Sequence, residues 1–144
     1  VIPRFLECRA TGDALPVTDV RMTRFWWRLE EAVIFVQDVS TEMIGGEIWV
    51  PKMASARVMA VGQAMAPQSE VAIIGIRGKE KLHEVLITED EARHTYELPY
   101  AYVIMPHDPS WPVQPPAGAV HVPDGFRYSS DRDPMPVQYV EATV

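Results

Sequence analysis

The sequence predicts an α/β fold. Three observations lead to it. Stretches with apolar residues at helical spacing alternate with short apolar runs along the first part of the chain. The runs Ile48–Val50 and Val71–Ile76 are apolar throughout, as in strands covered on both faces. Turn signals at Thr11-Gly12-Asp13, Gly45-Gly46 and Arg77-Gly78 separate the segments.

Each element follows from its own pattern. Ile2 to Arg9 is expected as a short helix with Phe5, Leu6 and Cys8 on its apolar side. Leu15 to Thr18 reads as a short extended piece, and Thr18 or Asp19 can cap a helix after it. Met22, Phe25, Trp26, Leu29, Ala32, Val33 and Val36 keep helical spacing, which predicts a helix from Met22 to Asp38. Arg21, Arg24 and Arg28 fall on another face of it, with Arg24 in its first turn. Glu47 to Pro51 is expected as a strand. Ser55 is expected to cap a helix running to about Ala66, where Pro67 ends it. Val71–Ile76 then forms a buried strand that stops at Arg77 and a tight turn. A short amphipathic helix is expected next, with Leu82, Val85 and Leu86 at i, i+3 and i+4. Thr88 and Glu91 fit the capping box of another short helix. Tyr96 to Ile104 alternates and is expected as strand, broken at Pro99.

The character changes at Pro106. Eight of the thirteen prolines lie from Pro106 to Pro136, which disfavours helix and central strand. Trp111, Phe126 and Tyr128 punctuate this stretch, so it is expected to wrap over its own domain or a neighbouring subunit. The chain is therefore divided into an α/β portion, residues 1–105, and a Pro-rich extended tail, residues 106–144. With so few strands, Ile48–Val50 and Val71–Ile76 look made for the middle of a larger sheet, and standing alone they would leave exposed edges.

The totals exclude several classes. A net charge of −7 and a pI near 5.0 argue against a general nucleic-acid binder. They leave room for a small anionic ligand, because Arg21, Arg24 and Arg28 form one basic cluster and Arg77, Lys79 and Lys81 another. Cys8 is the only cysteine, and His83, His94, His107 and His121 are scattered, so neither an internal disulfide nor a zinc site is expected. No apolar run is long enough to span a bilayer. The chain begins without Met or a signal-peptide pattern, and a cytoplasmic location is expected.

One stretch carries a chemical suggestion. A strand that ends in Arg77 and opens a helix would set a guanidinium fork beside free backbone amides, which suits an anion. Glu80, on the first turn of that helix, can accept hydrogen bonds from two adjacent hydroxyls, as on a ribose. On this stretch alone the plainer reading is stronger: a solvated charged helix start that only packs Leu82 and Leu86.

Five motifs, in order, raise the more specific reading. Thr18-Asp19-Val20-Arg21-Met22-Thr23-Arg24-Phe25-Trp26 comes first, then Gly46-Glu47-Ile48-Trp49-Val50-Pro51-Lys52. Gly75-Ile76-Arg77 with Glu80-Lys81-Leu82-His83-Glu84 follows, then Glu89-Asp90-Glu91-Ala92-Arg93-His94-Thr95 and Gly125-Phe126-Arg127-Tyr128-Ser129-Ser130-Asp131. With these the chain resembles the C-terminal portion of the inverting UDP-N-acetylglucosamine 4,6-dehydratases, extended short-chain dehydrogenase/reductases of surface-polysaccharide and flagellin-glycan biosynthesis. The resemblance runs over nearly the whole chain.

It implies a fold and a division of labour. The expected fold is the C-terminal, substrate-binding part of an extended short-chain dehydrogenase/reductase Rossmann-type fold. The N-terminal half, which holds NADP, is absent, and no cofactor is expected on this chain. By resemblance, Arg24 and Arg77 approach the pyrophosphate of a UDP-sugar, Glu80 holds the ribose, and Pro16 and Thr18 lie along the uracil. A homo-oligomer is implied, with no nucleic-acid partner. In the whole enzyme, hydride would leave C4 for NADP, water would be lost across C5 and C6, and hydride would return to C6. Reprotonation at C5 from the opposite face would then invert it.

The departures concern catalysis. The sequence has no Gly-x-x-Gly-x-x-Gly loop and no tyrosine four residues before a lysine. Such a pair is needed to move the C4 hydroxyl proton as hydride leaves. No catalytic or metal-binding residue is therefore assigned, and the chain alone is expected to be inactive. Val20 stands where the family has proline, Gly78-Lys79 where it has Pro-Gly, and Asp133 where asparagine is usual. If Lys79 takes the glycine's conformation, strain of ~1 kcal/mol is expected. Two other classes remain beside the dehydratase reading: a non-catalytic UDP-sugar-binding or assembly module that works with a separate Rossmann chain, and an interaction domain whose arginines are structural.

Overall fold

The computed structural model describes residues 1–108, 110–111, 113–132 and 134. In order, the elements are α1 (Ile2–Thr11), β1 (Leu15–Val17), β2 (Thr23–Trp26), α2 (Leu29–Glu42), β3 (Ile48–Pro51), β4 (Ala54–Arg57) and α3 (Val58–Met65). They continue with β5 (Val71–Ile73), β6 (Val85–Ile87), a 3-10 turn (Glu91–His94), β7 (Thr95–Glu97), β8 (Ala101–Ile104), β9 (Val120–His121) and β10 (Tyr128–Ser129). The chain forms two compact units.

The first unit comprises Val1–Trp26, Ala54–Glu84 and the segment beginning at Ser130. Pro3 sits at the start of α1, where its missing N–H costs nothing. Gly12 ends the helix in the left-handed region, φ 78°, with its N–H donating to the Cys8 carbonyl. β1 and β5 pair in parallel, Leu15 opposite Val71 and Val17 opposite Ile73. β2 and β4 pair antiparallel, Thr23 opposite Arg57 and Arg24 opposite Ala56. Between them lies a core of Phe5, Cys8, Leu15, Val17, Met22, Ala56, Val58, Val61 and Met65, with Cys8 fully enclosed. Gly62 makes the helix–strand approach possible. A Cβ there would meet the Phe5 ring at 3.1 Å and a Leu15 methyl at 3.2 Å.

The second unit comprises Trp27–Met53 and Val85–Ser129. Its antiparallel sheet has the order β3-β8-β7-β9, with all four residues of β8 buried. The β7–β8 hairpin closes through Leu98 N–H to the Ala101 carbonyl, around Pro99. Within the Pro-rich stretch, β9 pairs with β7 and β10 with β6. The Tyr128 hydroxyl donates to the Met53 carbonyl and accepts from the Met53 N–H. The end of the tail, residues 135–144, lies outside the described residues. Of α2, only Val39 is buried, while Leu29, Val33, Ile34 and Val36 are exposed.

Several local expectations are corrected. The helix expected from Met22 begins at Leu29. Thr23-Arg24-Phe25-Trp26 is β-branched and aromatic, fits a pleated strand, and finds a partner in β4. The later start is fixed by Glu31, whose carboxylate accepts the Arg28 N–H at 3.3 Å. Ser55 lies inside β4 and caps nothing; α3 starts at Val58. The helix expected after Gly78 does not form. Residues 81–84 run irregularly beside β2, with Thr23 N–H donating to the Leu82 carbonyl, and Val85–Ile87 is strand. The buried strand expected to reach Ile76 stops at Ile73, because β1 offers only three partners, and Ile73 is 55% exposed. Thr88 and Glu91 do cap each other, but over a single 3-10 turn.

Replacing a helical glycine by a larger residue usually helps the helix. Gly62→Val is expected to do the opposite and destabilise by about 1–3 kcal/mol, because the added methyls press on Phe5 and Leu15, both enclosed in the core. Urea denaturation of the variant checks this; equal or greater stability would show that the core relaxes around the added methyls.

Candidate functional site

Parallel strands present their carboxyl ends on one side, and ligands of α/β sheets bind beyond those ends. In the first unit the loops that leave β1 and β5 emerge there together. Ile74 N–H donates to the Val17 carbonyl at 2.9 Å and prolongs the pairing into the loops. Pro16 is within β1 and Thr18 just past it, both partly exposed. Arg77 and Glu80 lie on the loop after β5.

The loop after β1 is stiffened by Asp19. Its carboxylate accepts the Arg21 N–H at 2.8 Å and grips the guanidinium at Nε (3.0 Å) and Nη2 (2.8 Å). The bidentate bond to the Arg21 side chain, then the backbone bond, lowers the Asp19 pKa to about 2, and the same contact raises that of Arg21. Met22 N–H closes the turn on the Asp19 carbonyl.

The loop after β5 turns at Gly78-Lys79. Glu80 N–H donates to the Arg77 carbonyl at 2.9 Å, and the Glu80 carboxylate accepts the Arg77 N–H at 3.1 Å. Glu80 thus folds over its own turn with one oxygen and keeps the other for a further donor. Glu80 was expected on a helix; it stands on this turn instead. Gly75 takes the left-handed conformation, φ 80°, and Gly78 does not. The Arg77 guanidinium is exposed and makes no ion pair among the described residues.

Arg24 is placed differently. It lies on β2, not in a helical turn, and its guanidinium is spent on backbone. Nη1 donates to the carbonyls of Thr23 (2.6 Å) and Leu82 (3.2 Å), and Nη2 to that of Lys81 (2.9 Å). Nε lies 3.4 Å from a Glu84 oxygen. Arg24 therefore holds the segment that leads away from Glu80, whereas Pro16 and Thr18 lie at the end of β1 and Arg77 and Glu80 share the turn after β5.

Three further residues secure that segment; each lies inside one of the five motifs, but no role is read for it there. The Thr23 hydroxyl, buried, is 2.7 Å from His83 Nδ1 and 2.7 Å from the Ser130 hydroxyl. The Ser130 hydroxyl accepts the Glu84 N–H at 2.9 Å, and the Ser130 N–H donates to the Glu84 carbonyl. The partners come from distant parts of the chain, so neither periodicity nor spacing reveals them. Chemically, the set offers one exposed guanidinium and one carboxylate on a fixed turn, an arrangement for binding a polyhydroxylated anion.

The architecture is a partial Rossmann-type α/β arrangement of the extended short-chain dehydrogenase/reductase kind. Residues 1–106 match the family described as polysaccharide biosynthesis protein, and the chain belongs to that family. Among curated relatives, it is 42% identical over 144 residues to UDP-N-acetylglucosamine 4,6-dehydratase (inverting) of Campylobacter jejuni subsp. jejuni serotype O:2. That alignment takes in 94% of this chain and 43% of the relative. It is also 29% identical over 102 residues to UDP-glucose 4-epimerase of Rickettsia conorii, covering 68% of this chain and 30% of that protein. The X-ray structure of Pen from Bacillus thuringiensis shares the fold, with a TM-score of 0.84 at 24% identity over 99% of this chain and 44% of that one. The chain thus spans less than half the length of these relatives. The resemblance read from the five motifs agrees with the dehydratase match.

Two outcomes are expected from these contacts. Thr23→Val leaves His83 Nδ1 short of a partner, while the Ser130 hydroxyl keeps the Thr23 carbonyl and the Glu84 N–H, and should cost about 1–3 kcal/mol in urea denaturation, with Thr23→Ser close to the parent; equal stability of all three would mean the Thr23 hydroxyl adds nothing. Because the Asp19 pKa is depressed from 3.8 to about 2, its contribution is fully present above the unfolded value and is lost as pH falls through the folded one. The stability difference between the parent and Asp19→Asn should therefore hold above 3.8 and vanish near pH 2. A difference that persists undiminished in acid would rule out this linkage.

Proposed function

We propose that this chain is the nucleotide-sugar-binding part of an NADP-dependent UDP-N-acetylglucosamine 4,6-dehydratase that inverts C5, working in surface-polysaccharide or flagellin-glycan biosynthesis. The observation that carries the reading is the exposed Arg77 guanidinium, without an ion pair among the described residues, with Glu80 on one turn in the loop that follows β5, the strand paired with β1. The two curated relatives support it. Their names differ in reaction but share a UDP-linked sugar.

Each residue then has a physical task. The planar Arg77 fork pairs with oxygens of a pyrophosphate, which a point charge would grip less specifically. The free Glu80 oxygen accepts from the ribose hydroxyls. Pro16 and Thr18 give the uracil an extended backbone to lie against. Arg24 fixes the Lys81–Leu82 backbone behind the turn and adds positive charge nearby.

NADP would bring the hydride chemistry, but the residues present do not fit it. The loop after β1 leads into a strand, not a helix, so no helix N-terminus stands there for a cofactor phosphate. The sequence also lacks the glycine-rich loop and the tyrosine–lysine pair. In this reading the chain binds and orients substrate and has no dehydratase activity alone.

Calorimetric titration with UDP tests the proposal. Saturable binding is expected, weakened about ten-fold or more in Arg77→Ala, the scale of one lost charge-assisted fork. Glu80→Gln should narrow the preference for UDP over 2′-deoxy-UDP. A folded chain that ignores UDP, or binds it equally well without Arg77, would overturn the reading.

A further inference from the structure

The turn that carries Arg77 and Glu80 stands on a loop whose two ends are anchored differently. Strand pairing holds its start, and the Ile74 N–H extends that pairing to the Val17 carbonyl. Its far limb, residues 81–84, is neither helix nor strand. Backbone of that kind keeps one shape only through bonds made to it by other parts of the chain. Arg24 takes the Lys81 and Leu82 carbonyls, and the Thr23 N–H donates to the Leu82 carbonyl at 3.1 Å.

One residue holds both backbone groups of Glu84. The Ser130 N–H donates to the Glu84 carbonyl at 2.9 Å, and the Ser130 hydroxyl accepts the Glu84 N–H at 2.9 Å. The same hydroxyl donates to the Thr23 carbonyl at 3.2 Å. A single oxygen thus ties the end of the limb to the start of β2. Ser130 is 0% and Thr23 3% exposed, so bulk water does not replace a lost partner there. Ser130 lies 46 residues beyond Glu84 in the chain, and all the residues it joins belong to the first unit.

We propose that Ser130 is a positioning residue for the nucleotide site: it touches no ligand, and by fixing Glu84 it keeps the Arg77–Glu80 turn in its binding shape. This rests on the nucleotide reading above. A loop held in one arrangement binds without first being ordered, whereas a loosened one binds only in the fraction of chains that have the competent shape. The relation is reciprocal, so a nucleotide on the turn tightens the junction at Thr23 and Glu84 in return.

The test is calorimetric titration of the parent chain and Ser130→Ala with UDP and 2′-deoxy-UDP, beside amide hydrogen exchange of the parent with and without UDP. Alanine keeps the Ser130 N–H bond to the Glu84 carbonyl and removes only the hydroxyl. Ser130→Ala should bind UDP about five-fold more weakly, the scale of one neutral hydrogen bond. Its preference for UDP over 2′-deoxy-UDP should narrow as well, because Glu80 is what shifts. UDP should slow exchange at the Thr23 and Glu84 amides of the parent, a measurement that needs no variant. Cys8→Ala, a core change that removes none of these bonds, should lower stability while leaving both UDP affinity and the ribose preference as in the parent. UDP affinity in Ser130→Ala equal to that of the parent, or exchange at Thr23 and Glu84 indifferent to UDP, would overturn the proposal and leave the nucleotide reading standing. Equal weakening in Cys8→Ala would overturn it too, since affinity would then follow stability rather than the junction. A parent chain that ignores UDP would overturn both.

Discussion

The parallel pairing of β1 with β5 is the constraint on which the candidate nucleotide site depends. Only three residues of each strand take part, yet they bring two loops from distant parts of the sequence to one edge. Parallel pairs are slightly weaker per residue than antiparallel ones and need a crossover connection. Here the crossover runs through β2, α2, β3, β4 and α3. The packing of Phe5 and Leu15 onto Gly62 supports it from behind, so the geometry at Thr18 and Arg77 rests on core residues that touch no ligand. Within the first unit, the two ends of the loop after β5 are held by different means. Strand pairing fixes its start and side-chain bonds from Thr23, Arg24 and Ser130 fix its end.

Much of this was legible in the sequence, and the failures have a common cause. Apolar periodicity located α1, most of α2 and α3, and the cores of β1, β3, β5, β7 and β8, but not β2, β4, β6, β9 or β10. It misplaced boundaries where one pattern fits two structures. Met22, Phe25, Trp26 and Leu29 satisfy helical spacing, but Thr23–Trp26 gains more from a partner strand that the sequence does not reveal locally. Leu82, Val85 and Leu86 likewise fit a helix, yet only Leu82 packs against the core of the first unit, while Val85–Ile87 pairs with β10. Arg77 and Glu80 were singled out because an arginine and a carboxylate after a strand have a recognisable chemistry, and Pro16, Thr18 and Arg24 because of the family resemblance. Thr23, His83 and Ser130 were not, because a buried hydroxyl junction leaves no spacing to read.

Membership of the polysaccharide biosynthesis family and the shared fold agree on the architecture while leaving each side chain to be argued from its own contacts. Arg24 illustrates the point. Its motif suggests a ligand for phosphate, but its hydrogen bonds are made to three backbone carbonyls. A guanidinium bound in that way acts first as a brace. Its contribution to any anion is the longer-ranged one of charge, which falls off with screening.

Cys8 has a consequence of a different kind. It is the only thiol in the chain and it is wholly enclosed by the core of the first unit. An alkylating reagent can reach it only when α1 lifts away from β1 and α3. Its modification rate is therefore a clock for that opening, read chemically at one atom, and it is silent about events confined to the second unit. The chain carries its own reporter for the opening of its first unit.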